Sequence, residues 1–319
     1  MTRRPILVAM PTTAPSPDAA RPNPARRVAM IARDIKLVHS VFALPFALLA
    51  GAMAIPQSTE PARIGLLVAL IIAAMVFART WAMLVNRLAD RRFDALNPRT
   101  SSRLFARRTM PPREGWAYAA ASGTAFILIT AMFWILTDNP VPIALSVPVL
   151  AWIALYSYTK RFTWLCHVFL GGALAASPVC AAAAVDPSSL ASSPAIWWLA
   201  LMVLCWVSGF DVIYALQDVD FDRAHHLHSI PARLGVAGAI TLSRLLHLGA
   251  GASLVAVWTA EPRFEWIFAL GVLATAGLLI AEHAVLARRG QAGLDLAFFT
   301  LNGIVSVVLG LTGILDLLV

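Results

Sequence analysis

Nine apolar stretches, at about 36–55, 64–86, 115–136, 140–158, 165–185, 195–217, 236–258, 265–287 and 294–318, dominate the sequence, and each approaches the roughly 20 residues that a helix needs to cross a bilayer. The hydrocarbon layer holds no water, so each stretch has to satisfy its backbone hydrogen bonds internally, which leaves the helix as the available form. The expected fold class is all-α: a polytopic membrane protein of nine transmembrane helices. Breaker clusters separate the stretches, among them Pro56-Gln57-Ser58, Asp138-Asn139-Pro140, Asp186 to Pro194 and Glu261-Pro262-Arg263. A hydrophobic content of 59% against 13% charged residues excludes a soluble domain.

Residues 1–27, rich in Pro, Ala and Arg, hold no apolar run long enough for a signal-peptide core. They are expected to form a disordered cytoplasmic tail ahead of one membrane domain, 28–319. The net charge of +8 is distributed by topology. With the amino terminus inside, the tail and the segments after stretches 2, 4, 6 and 8 carry nearly all the arginines and lysines, whereas the opposite loops carry Arg63 and Arg263. The positive-inside rule then orients the chain with its carboxyl terminus outside, and the charge is no sign of a nucleic-acid partner. Cys166, Cys180 and Cys205 lie in or beside apolar runs without metal-ligand spacing and read as buried thiols.

Two acidic motifs close stretches 2 and 6. The first contains Asn86, Asp90 and Asp94; the second contains Asp211, Tyr214, Asp218 and Asp222. A spacing of four is just over one helical turn, so Asn86, Asp90 and Asp94 line one face, and so do Asp218 and Asp222. Both sets fall on the expected cytoplasmic face, four stretches apart, which is the pattern of duplicated halves facing a central cavity. Magnesium takes carboxylate and phosphate oxygens while keeping waters. The five residues Asn86, Asp90, Asp94, Asp218 and Asp222 therefore read as a Mg2+ and diphosphate site, against the plainer reading of a solvated face paired with nearby arginines. Asp220 points off this ridge and takes the plainer reading.

Asp211 and Tyr214 lie deeper on the second helix, and an acid below the interface is a functional candidate. Asp211 suits acceptance of a phenolic hydrogen or stabilisation of a cation. Arg79 stands in the mirror position of the first half and suits a substrate carboxylate, or else a salt bridge to Asp211. Arg99 and Arg103, with Tyr156, Lys160 and Arg161 at the end of stretch 4, are candidates for binding the diphosphate oxygens. Arg107, Arg108 and Arg113 are assigned to topology. His225, His226 and His228 lack partner thiols and read as loop residues; Glu282 and Asp295 have no spacing that gives them a task.

These residues resemble the UbiA superfamily, and within it the 4-hydroxybenzoate polyprenyltransferase group, over nearly the whole chain from about Ile35. The resemblance is carried by Val41-Phe42-Ala43-Leu44-Pro45-Phe46, by the first motif with Asn97-Pro98-Arg99-Thr100, by the run from Tyr156 to Thr163, by Gly209 to Asp222 with His228 to Arg233, and by Phe298 to Gly303. It implies nine helices around a cavity open to lipid in a bacterial plasma membrane, and Mg2+-dependent transfer of a polyprenyl chain from its diphosphate to an aromatic acid, at the ring carbon beside a phenolic hydroxyl. It also implies metal and diphosphate roles for Asn86, Asp90, Asp94, Asp218 and Asp222, aromatic-substrate contact for Arg79 and Asp211, and diphosphate contact for Lys160 and Arg103. Two departures stand out: Arg87 where many members have Asp, and Leu104 to Arg108 in place of a Pro-Leu-Pro-x-Gly turn.

The acceptor is expected to be 4-hydroxybenzoate, with a hydroxynaphthoate of the futalosine route to menaquinone as the alternative. Two rival classes are weighed. A CDP-alcohol phosphotransferase needs an Asp-Gly pair that this chain lacks, and a transporter needs acids at mid-membrane in several helices, whereas these gather at one face.

Overall fold

The computed structural model describes residues 23–35, 42–294 and 296–319, and every regular element among them is helical. Expectations that rest on residues 1–22, on 36–41 at the start of the first stretch, and on Asp295 lie outside the described residues. In chain order the helices are α1 Pro24–Asp34, α2 Leu44–Met53, α3 Pro61–Leu96, α4 Pro112–Thr137, α5 Val141–Thr159, α6 Cys166–Val185, the short α7 Ser189–Ser192, α8 Pro194–Tyr214, α9 Val219–Ala224, α10 Ile230–Ala260, α11 Trp266–Arg289 and α12 Asn302–Leu318.

Among the described residues, eight helical segments are long and apolar enough to cross a membrane. Nine were expected, and the shortfall falls on the first: within 36–55 the described helix is α2, only 10 residues long. The breakers act where expected. Pro194, at the end of one cluster, opens a helix at a position whose N–H needs no partner, as do Pro61 and Pro112, which the sequence reading had not singled out. Asp138 closes α4 in the left-handed conformation at φ 57. Helix α1 begins at Pro24, so the last residues of the stretch expected to be disordered are helical. Arg27 there pairs with Glu114 of α4 at 2.7 Å.

In lipid, apolar side chains gain little by leaving one greasy environment for another, so close packing and interhelical hydrogen bonds hold the bundle. Helix α8 is its axis, lying against α2, α6 and α10, with Ile196, Leu199, Met202, Val203 and Trp206 fully buried. A Cβ on Gly171 of α6 would collide with the Ser208 hydroxyl and the Leu204 carbonyl of α8, so this glycine sets how near the two helices come. Asn302 accepts from Trp206 Nε1 at 2.6 Å and donates to Glu282 at 3.2 Å, which gives Glu282 a place in tying α8, α11 and α12.

Helix α3 is the element that projects. Its 36 residues span about 54 Å at 1.5 Å per residue, against a hydrocarbon layer of about 30 Å. Its last turns, with the first acidic motif, therefore stand clear of the apolar part. There α1 lies across them: Ile31 and Ile35 pack with Leu84, Leu88, Leu104, Phe105 and Met110.

Candidate active site

One cavity of about 1130 Å³ takes in all thirteen residues singled out in the sequence: Arg79, Asn86, Asp90, Asp94, Arg99, Arg103, Tyr156, Lys160, Arg161, Asp211, Tyr214, Asp218 and Asp222. Acids from the two halves of the chain thus share one space. A smaller apolar chamber of about 200 Å³, between α3, α4, α5 and α6, adjoins it. Arg79, Met83, Tyr156, Leu170 and Leu174 line both.

Each of the four motif acids carries one basic partner. Asp90 accepts from Arg161 at 2.9 Å, Asp94 from Arg103 at 2.7 Å, and Asp222 faces Lys160 at 3.4 Å. Asp218 takes a two-pronged contact from Arg99, through Nε at 3.0 Å and through Nη2, and a third hydrogen bond from Asn97 Nδ2 at 3.0 Å. The forked guanidinium matches a carboxylate in a way a lysine does not. Two of these pairs cross between halves: Arg99, in the loop after α3, reaches Asp218, and Lys160, after α5, reaches Asp222. Burial alone would lower the proton affinity of both bases. The hydrogen bond and charge of Asp218 more than reverse this for Arg99, and the charge of Asp222 does so for Lys160, so both are held above their usual range.

The second motif is not carried by one continuous α-helix. Helix α8 ends at Tyr214, a 3-10 turn runs from Ala215 to Asp218, and α9 begins at Val219. Asp211 and Tyr214 thus reach the cavity from α8, and Asp218 and Asp222 reach it from the far side of a change of helix type, which a constant spacing in sequence cannot reveal. On α3 the helix is continuous, and Asn86 Nδ2 donates to Asp90 Oδ2 at 3.1 Å. Asp220 is exposed, as expected.

Asp211 is held by His167 of α6, whose Nδ1 lies 2.7 Å from Asp211 Oδ2. Arg79 makes no ion pair among the described residues, and its Nε is buried without a partner, so the salt bridge to Asp211 considered above does not form. Arg161 also donates to the Ala89 carbonyl at 2.9 Å and lies over the Tyr158 ring, which makes it a clamp between α5 and α3.

Several lining residues had escaped the sequence reading. Arg87, noted only as a departure, is buried and pairs with Asp34 of α1 at 3.4 Å, while Asp34 Oδ1 accepts from the Leu104 N–H at 2.7 Å. Where a Pro-Gly turn was missing, Asp34 thus pins the loop. A π-helical turn at Leu296–Leu301 sends both Phe298 and Phe299 to the cavity, with Phe298 stacked on Tyr214 at 4.0 Å and packed against Phe42 and Phe210. Such widened turns recur at functional sites. His226 and His228 are exposed loop residues, and the three cysteines are free.

The donors suit a hard cation: carboxylates and one amide, all oxygen, with Asp94 Oδ2 buried and unpartnered. Among the described residues no three acids, histidines or cysteines converge on a single point. Magnesium is commonly held by one or two carboxylates together with substrate phosphates, a mode that needs no such cluster.

Residues 43–304 match the model of the UbiA prenyltransferase family. The chain is 31% identical over 245 residues to a protein named 4-hydroxybenzoate octaprenyltransferase from Edwardsiella ictaluri, covering 75% of this chain and 79% of that one. It is 31% identical over 215 residues to a protein of the same name from Stutzerimonas stutzeri, covering 66% and 68%. Among solved structures it resembles the apo structure of a UbiA homolog from Aeropyrum pernix K1, with a TM-score of 0.77 and 33% identity over 88% of this chain and 98% of that one. It also shares the fold of a UbiA homolog from Archaeoglobus fulgidus bound to DMAPP and Mg2+, with a TM-score of 0.66 and 17% identity over 91% of this chain and 99% of that one.

Proposed function

This chain belongs to the UbiA prenyltransferase family, and from that premise we propose that it transfers a polyprenyl chain from its diphosphate to the ring of an aromatic acid, 4-hydroxybenzoate being the acceptor its relatives' names favour. The observation that carries the reading is the single cavity where acids and bases of both halves alternate, next to an apolar chamber. A prenyl diphosphate has the same two-part character.

Asp90, Asp94, Asp218 and Asp222, with Asn86, would hold Mg2+. When bound, the metal neutralises the diphosphate and eases its departure. Arg99, Arg103, Lys160 and Arg161 would turn from the carboxylates to the diphosphate oxygens and stabilise the charge that gathers there as the C1–O bond breaks. The apolar chamber receives the tail. Tyr214, Phe210 and Phe298 line the cavity and would set aromatic rings near the allylic cation at C1.

Arg79 would hold the acceptor's carboxylate where cavity and chamber meet. Asp211 accepts the phenolic hydrogen, which enriches the ring carbon beside the oxygen. That carbon bonds to C1, its own hydrogen leaves as a proton, and the oxygen is reprotonated. One proton and one pyrophosphate are released in all. The positive-inside rule, applied to the basic loops, supports a site on the cytoplasmic side of a bacterial plasma membrane, with 28–319 as the working domain.

The test gives purified protein Mg2+, a polyprenyl diphosphate, and 4-hydroxybenzoate with a hydroxynaphthoate in competition, and reads pyrophosphate and product mass. Prenylated 4-hydroxybenzoate is the expected product. Predominant prenylation of the naphthoate reassigns the acceptor, and absence of pyrophosphate with any phenolic acid overturns the reading.

A further inference from the structure

Asp211 differs from every other acid of the cavity in the partner it keeps. Asp90, Asp94, Asp218 and Asp222 each face an arginine or a lysine, whereas Asp211 faces an imidazole. A hydrogen bond from the imidazole to one carboxylate oxygen gives Asp211 a defined orientation and leaves the other oxygen to meet a substrate.

The placement follows from the packing of α6 on α8. These helices run in opposite senses, and Gly171 lets them approach at Ser208. One turn before Gly171 stands His167, and about one turn beyond Ser208 stands Asp211, so the close approach brings the two side chains together. The His167 ring is 1% exposed and the Asp211 side chain 21% exposed, and both residues line the cavity. His167 Nε2 is buried without a partner. The imidazole is the more enclosed of the two, and its Nδ1 bonds Asp211 Oδ2.

We propose that His167 is a positioning residue for the transfer reaction: its Nδ1–H donates to Asp211 Oδ2, keeps Asp211 away from Arg79 and Lys160, and turns Asp211 Oδ1 toward the acceptor's phenolic hydroxyl. The step is a proton transfer. The phenolic O–H bond breaks, its electron pair stays on the oxygen, and the proton passes to Asp211 Oδ1 while the His167 hydrogen bond stays on Oδ2. This rests on the transfer reaction proposed above.

The experiment uses the full-length protein in detergent with Mg2+ and a polyprenyl diphosphate, and compares 4-hydroxybenzoate with its 3-fluoro derivative, whose more acidic phenol depends less on a base. His167→Ala is expected to lower kcat with 4-hydroxybenzoate by about 100-fold, the size of a typical general-base contribution, with KM nearly unchanged. The loss shrinks by about tenfold with the fluorinated acceptor. His167→Gln, whose amide can donate to the same oxygen, keeps kcat within about fivefold of wild type. In His167→Ala/Asp211→Asn the loss equals that of Asp211→Asn alone, because the two act as one unit.

A His167→Gln as inactive as His167→Ala, an equal loss with both acceptors, or losses that multiply in the double variant would overturn the inference while wild-type transfer stands. A wild-type protein that prenylates no phenolic acid would overturn the transfer reading, and the inference with it.

Discussion

Asp218→Asn tests the shared cavity most directly, because it removes one charge and almost no volume. In the structure Asp218 accepts from Arg99 twice and from Asn97 once, and its side chain is 9% exposed against 29% for Arg99. Hydrogen bonds to charged groups contribute about 1.5–3 kcal/mol when buried, and the exposure of Arg99 places this pair near the lower end. The fold therefore loses about 1.5 kcal/mol, too little to unfold the bundle. Catalysis loses more. Groups that stabilise charge developing at a leaving group are worth about 10²–10³ in rate, or roughly 3–4 kcal/mol at 1.36 kcal/mol per decade. Asp218→Asn is thus expected to cut turnover at least about 100-fold and to raise the Mg2+ concentration at half-maximal rate. Pyrophosphate release across a Mg2+ titration measures both, with size-exclusion chromatography as the check on folding. The control is Asp220→Asn, whose carboxylate is exposed and off the cavity; its activity is expected to stay within about twofold. An Asp218→Asn protein within about threefold of wild type at saturating Mg2+ would refute the reasoning.

Arg79→Ala is expected to raise KM for the aromatic acid about 10- to 100-fold, the value of a charged hydrogen bond, while leaving affinity for the prenyl diphosphate within about twofold, as read by product formation and ligand titration. Ala176→Phe fills part of the apolar chamber, so the longest accepted prenyl chain becomes shorter while the shortest donors react as before; product mass across a donor series checks this. Phe298→Ala removes the ring stacked on Tyr214, worth about 0.5–1.5 kcal/mol, and is expected to slow transfer by about 2- to 10-fold with KM for the acceptor little changed. Chelation of Mg2+ abolishes pyrophosphate release, and re-addition restores it.

The membrane class, the count of long helices among the described residues to within one, the breakers and the residues that line the cavity were legible in the chain itself, because each rests on local chemistry. Eight of the nine apolar runs are long helices because a backbone in lipid has to satisfy its own hydrogen bonds, and carboxylates spaced by one turn share a face wherever an α-helix continues. The second motif marks the limit of this argument. Its spacing looks like one continuous helix, yet the backbone changes to a 3-10 turn over Ala215–Asp218.

What only tertiary structure decided is pairing. Arg99 with Asp218, Lys160 with Asp222 and Asp34 with Arg87 join residues far apart in sequence, and charge alone leaves every arginine equally eligible for every acid. The same holds for His167, an unremarkable residue at the start of α6 until Gly171 draws α8 within reach and sets its ring against Asp211. Hydrophobic length fixes which segments enter the membrane, since the free energy of each segment is paid locally to lipid. The partners inside it are fixed by how closely two helices can approach, which depends on atoms contributed by both.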